Sequence, residues 1–218
     1  IAEAWDAAGA YQVGEFTGRW GEWNGMYRDE VRRFWRGDPD SLGHFATRLA
    51  GSSDLFGDDG RTPHHSINFV TSHDGFTLHD WTAYEKKHNE ANGHNNEDGA
   101  NWNISINHGV EGETSNPEVN TTRLRQAKNM FATMMLSLGV PMITAGDEFL
   151  RTQNGNNNPY CQDNHISWLD WDFASRGKEM LRFAQEMIEL RKRLQTLGKQ
   201  SFYTGKPDFD HTHPDLIW

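Results

Sequence analysis

Cysteine is nearly missing from this chain of 218 residues. Cys161 is the only one, so no intrachain disulfide can form and a disulfide-stapled secreted scaffold is excluded. A reducing, cytoplasmic setting is therefore expected. No apolar run approaches 18 residues, which leaves no candidate for a helical membrane span. Basic runs are absent too. With a net charge of −10, the chain has no positive face for a nucleic acid backbone or an anionic membrane surface. The eleven histidines have irregular spacings, and there is no His-x-x-x-His helix or cysteine pair, so no zinc site is expected; a calcium site fed by the Asn/Asp-rich loops stays open but unsupported, and no metal or cofactor is assigned. Proline is sparse, at seven residues. What is abundant is aromatic: nine Trp and twelve Phe in a chain rich in Asn and Gly, enough for a core and for surfaces that stack on sugar-like rings.

The chain alternates short β-prone runs with helical patterns. Ile1 to Trp5 reads as a strand with Glu3 near its carboxyl end, and residues 9 to 24 read as loop. Apolar residues at helical spacing predict helices over 26–35 and 41–50, the first stopped by Gly37 and Pro39. Ile67 to Val70 reads as a buried strand that runs into Ser72-His73-Asp74-Gly75, where the glycine turns the backbone. Residues 87 to about 120 lack periodicity, a length of loop more often functional than idle. Ser115-Asn-Pro-Glu118 is read as a capping box, opening a helix whose stripe (Leu124, Ala127, Met130, Phe131, Met134, Met135, Leu138) is assigned to the core. Val140 to Ala145 reads as a strand ending at Asp147 and Glu148. A last helix is predicted over 178–194.

Strand–helix alternation implies a parallel sheet covered by helices, with chemistry at the carboxyl ends of the strands. Five groups, Glu3, His73, Asp74, Asp147 and Glu148, are expected to converge on that face. Paired carboxyl groups facing a cleft can protonate a leaving oxygen and stabilise a cationic transition state, the logic of glycoside hydrolysis. Asp74 in a simple Ser-His-Asp-Gly turn is the competing reading of the second motif.

These residues carry a resemblance. Ile1-Ala-Glu3-Ala-Trp5-Asp6 resembles the strand-five motif of the α-amylase superfamily, whose glutamate is the general acid/base. Phe69-Val-Thr-Ser-His73-Asp74-Gly75 resembles the strand-seven motif, in which the aspartate steadies the transition state and the histidine bonds the sugar. Gly139-Val-Pro141-Met-Ile-Thr-Ala-Gly146-Asp-Glu148 is similar to the strand-eight motif. His88-Asn-Glu-Ala-Asn-Gly93 with Asn95-Asn-Glu-Asp-Gly99, and Asn156-Asn-Asn-Pro-Tyr-Cys161-Gln-Asp-Asn164, resemble the bacterial glycogen debranching enzymes of the isoamylase type. Ala4 stands where the family usually has proline. Nothing here matches the strand-four aspartate, the family's nucleophile, or its arginine partner.

The resemblance implies strands five to eight of a (β/α)8 TIM-type barrel over residues 1–198. Residues 199–218 would then form a linker and the first residues of a C-terminal β-domain. It implies that the chain is a piece of a longer protein that hydrolyses α-1,6 branch linkages in glycogen or a branched α-glucan oligosaccharide and is inactive alone. Glu3 and Asp74 are the expected catalytic residues, with His73 and Trp5 on the substrate and Glu148 buttressing the mouth. For Trp5, ordinary packing is the competing reading. The Asn-rich loops are expected either to bond sugar hydroxyls or to satisfy loop backbone. A non-catalytic glucan-binding module and an amylase-type enzyme of other linkage preference stay open.

Overall fold

The computed structural model describes residues 1–6, 8–172, 175–207 and 212–217. Its centre is a small parallel sheet of β1 (Glu22–Trp23), β2 (Ser66–Asn68) and β3 (Val140–Pro141), in that order. Ile67 is the shared register point, opposite Trp23 on one side and Val140 on the other. The amino-terminal segment continues the sheet past β1 through a single parallel bridge, Ala2 to Glu22. All four segments therefore run the same way and end on one side.

Several expectations need correction. Ile1 to Trp5 is not a continuous strand, because beyond Ala2 the chain turns and Trp5 bridges antiparallel to Tyr11. The region read as loop contains β1, two residues that are too short to display a period. The strands predicted over 67–70 and 140–145 shrink to 66–68 and 140–141. Gly139 is required where it sits: its φ is +116°, and a Cβ there would meet the Ser66 carbonyl at 2.9 Å.

The helices are α1 (Gly25–Arg36), α2 (Leu42–Leu49), α3 (Ser53–Phe56), α4 (Leu78–Ala83), α5 (Pro117–Leu136) and α6 (Ser175–Arg193). Helix α1 starts where Asn24 accepts a hydrogen bond from the Tyr27 amide at 2.8 Å. It stops where Gly37 takes the left-handed conformation and bonds back to Arg33 and Phe34. Helix α5 has Asn116 as its cap and Pro117 in its first turn, not the capping box expected at Ser115. Helix α4 escaped the sequence reading because its six residues are all buried and show no amphipathic stripe.

The apolar faces of α1, α2, α4, α5 and α6 form one core, with Tyr27, Val31, Trp81, Met130, Phe131 and Met134 almost fully buried. The methionine stripe of α5 lies in this core, as expected. Among the described residues no helix is long and apolar enough to cross a membrane. The stretch assigned to a C-terminal β-domain falls partly on 208–211 and 218, outside the described residues. Its described part contains one antiparallel bridge, Pro207 to Pro214.

Candidate active site

Parallel strands deliver their following residues to one rim, and three of the five expected groups meet there. Glu3, His73 and Asp74 are exposed and each offers a ligand atom, all within 4.8 Å of one another. His73 Nε2 lies 3.6 Å from Asp74 Oδ2. Among the described residues this trio is the one group of His and carboxylate side chains spaced to hold a metal ion. Without a metal it presents two carboxyl groups and an imidazole to one small volume, a set suited to donating and accepting protons and stabilising positive charge.

Aromatic side chains form the floor. Phe69, at the end of β2, stacks on Trp5 with ring centroids 6.3 Å apart and meets Trp23 at 5.5 Å. Trp23 and the exposed His73 ring meet edge-on, with centroids 5.7 Å apart. Trp5 also stacks on Tyr11 and lies under the Arg28 guanidinium. This half-buried indole is thus engaged by protein on several sides, so packing describes most of what it does. Trp23 and Arg28 were not singled out from sequence. Their signal, Glu22-Trp23-Asn24-Gly25 just before a helix, is a strand-to-helix junction that only the missed β1 makes visible.

The other two groups do not join the trio. Asp147 is buried, accepting from the Thr71 hydroxyl and, at 2.9 Å, from the Leu78 amide. Burial pushes its carboxyl up to about 6. It ties the ends of β2 and β3 to the start of α4. Glu148 folds back to accept from the Gly146 amide at 2.8 Å. Of the five groups expected on this face, Glu3, His73 and Asp74 come within reach of one another, while Asp147 and Glu148 make their bonds elsewhere.

The Asn-rich loops brace one another. Asn157 Oδ1 accepts from Asn89, and its Nδ2 donates to the Ala100 carbonyl and to Asn103. The Asn157 carbonyl accepts from the Gly75 amide at 2.9 Å, pinning the turn that carries His73 and Asp74. Buried Asp80 on α4 holds the same loop through Thr152 and the Gln153 amide, and burial raises its carboxyl above the usual range. Of the two readings open for these asparagines, satisfying loop backbone and neighbouring amides is what their bonds do.

Sequence comparison relates the chain to proteins named as glycogen debranching enzymes and isoamylases. No family model matches it. It is 55% identical over 208 residues to the glycogen operon protein GlgX homolog of Mycobacterium tuberculosis, covering 95% of this chain and 29% of that protein. The glycogen debranching enzyme of Serratia proteamaculans is 50% identical, covering 90% of the chain and 30% of the relative. Isoamylase 1 of rice is 46% identical, with 97% and 28% covered. Among solved structures, a pullulanase from Anoxybacillus sp. LM18-11 complexed with maltotriose superposes with a TM-score of 0.63 at 26% identity, covering 89% of this chain and 26% of that one. The chain spans less than a third of the length of these relatives.

Proposed function

We propose that this chain supplies the acid/base half of a catalytic site that hydrolyses α-1,6-glucosidic branch linkages in glycogen or its limit dextrin with retention of configuration. The observation that carries this reading is the convergence of Glu3, His73 and Asp74 on one exposed rim. The relatives named as glycogen debranching enzyme and isoamylase support the substrate class. So do pullulanases solved with maltotriose and maltotetraose.

In the proposed reaction the Glu3 carboxyl donates its proton to the glycosidic oxygen as the C1–O bond breaks. A carboxylate from outside this chain attacks C1 and forms the glycosyl-enzyme. Glu3, now ionised, takes a proton from water, which attacks C1 and releases the sugar and the nucleophile. Asp74 remains charged and favours the oxocarbenium-like transition state. His73 donates to a hydroxyl of the sugar being cleaved, and Trp5 offers what remains of its indole surface beside it. Residues 1–198 form strands five to eight of a (β/α)8 barrel in this reading, residues 199–218 lead into a β-domain, and the setting is the cytoplasm.

Release of reducing ends from glycogen or amylopectin tests the assignment. The 218-residue chain alone should release none. In a protein that also contains the nucleophile, Glu3→Gln should lower turnover by roughly 10²–10⁴-fold. Turnover by the isolated chain that survives Asp74→Asn would overturn the roles of both Asp74 and the outside nucleophile.

A further inference from the structure

Residues 72–77, which carry His73 and Asp74, are gripped at both ends by one buried side chain. Thr71, just before this turn, donates its hydroxyl to Oδ2 of Asp147, and Leu78, just after it, donates its amide to Oδ1 at 2.9 Å. The crown of the turn is held separately, where the Gly75 amide donates to the Asn157 carbonyl. Arg32 of α1 donates from Nε to the Val70 carbonyl at 2.8 Å and so fixes the strand that leads into the turn. Within residues 72–77 only Phe76 joins the apolar core, while the side chains of His73 and Asp74 are 61% and 70% exposed. Where those two groups sit therefore depends on what grips the ends of the turn.

The residue type at this point is informative. Asp147 is buried, and burial lifts its carboxyl to about 6, so holding it ionised at neutral pH opposes folding. The charged groups acting on it are Arg151 and Glu148 of its own segment and Arg32 of α1. An asparagine of the same shape would avoid the cost of the charge. What an asparagine cannot do is accept at two atoms, because its amide has one acceptor oxygen and one donor nitrogen. An ionised carboxylate accepts at both oxygens, and Thr71 and Leu78 approach different ones. Bonds to a charged acceptor are also roughly twice as strong as neutral ones. A group that lowers global stability while tightening one exposed turn fits a residue kept for its effect on a site.

We infer that Asp147 is a positioning residue: its ionised carboxylate clamps the two ends of the turn that presents His73 and Asp74. The inference rests on the proposed reading for the importance of those two groups, and it adds to that reading a residue that touches no sugar. Amide hydrogen exchange at neutral pH, with urea unfolding of the same samples, tests it in the 218-residue chain. Asp147→Asn should raise global stability, yet the Leu78 and Gly75 amides should exchange about tenfold faster. Thr71→Val removes one arm of the clamp, leaves Asp147 in place, and should loosen the same two amides. Unchanged exchange at both amides in both variants would overturn the clamp. So would faster exchange throughout the chain together with a fall in stability, the pattern of a merely structural residue. In a protein that also contains the nucleophile, Asp147→Asn should lower kcat about tenfold with KM nearly unchanged. Normal kcat beside loosened amides would overturn the positioning role and leave the hydrolysis reading intact. Loosened amides in a protein that releases no reducing ends from glycogen would overturn the hydrolysis reading and leave the clamp.

Discussion

Asp147 is the group whose replacement tests the electrostatics of this fold most directly. It is 2% exposed and accepts from Thr71 and from the Leu78 amide, but burial outweighs these bonds and lifts its carboxyl from 3.8 to about 6. Because the native chain holds this proton to higher pH than the unfolded chain, stability falls as pH rises from about 4 to about 6. A rise of about two pH units, at 1.36 kcal/mol each, makes the ionised group cost about 3 kcal/mol at neutral pH. Asp147→Asn removes the charge and keeps an oxygen for the Leu78 amide, while Thr71 can turn its hydroxyl to accept. Urea unfolding of both proteins, followed by tryptophan fluorescence from pH 4 to 7.5, isolates the effect, because titrating groups that do not interact with Asp147 cancel in the difference. One of those is Glu113, held down to about 2 by its hydrogen bond from His79. Its contribution is present above the ordinary glutamate range and is lost from both proteins as pH falls toward 2. The variant should gain about 3 kcal/mol on the wild type between pH 4 and pH 7. A difference that stays flat to within about 0.5 kcal/mol would refute the reasoning, since it would mean that Asp147 titrates alike in the folded and unfolded chain.

Two other substitutions probe the supports of the rim. Arg61→Met strands the fully buried Glu22 of β1 without its cation, and should destabilise the chain by about 3–5 kcal/mol in chemical denaturation. Adding Glu22→Gln should restore much of this. Asn157→Ala deletes three side-chain hydrogen bonds between the Asn-rich loops, for a loss of about 3 kcal/mol. The Gly75 amide, which donates to the Asn157 carbonyl, should then exchange with solvent at least about tenfold faster. Unaltered exchange at Gly75 would show that the His73–Asp74 turn does not depend on this brace.

How much of this was legible beforehand follows from the range of each interaction. The helices α1, α2, α5 and α6 were readable because a core-facing stripe repeats every turn, and Gly37 and Pro117 punctuate them locally. Helix α4 was not, since a segment buried on every side has no polar face to mark its period. Strand β1 was lost for a related reason: two residues carry no alternation, and Glu22, buried against Arg61, looks like a surface residue in sequence.

At the site, Glu3, His73 and Asp74 could be picked out because each follows a β-prone run, and parallel strands must deliver such residues to a common rim. The same reasoning also nominated Asp147 and Glu148, and the resemblance to the α-amylase superfamily motifs is what singled out Glu3, His73 and Asp74. The burial of Asp147 against Thr71 and Leu78, the contact of Trp23 with His73, the bracing of Gly75 by Asn157 and the burial of Arg32 were decided only in the folded chain. Each depends on partners dozens of residues away, and whether a charge is buried or exposed depends on everything packed around it. Sequence alone determined which groups could do chemistry; tertiary packing decided which of them meet.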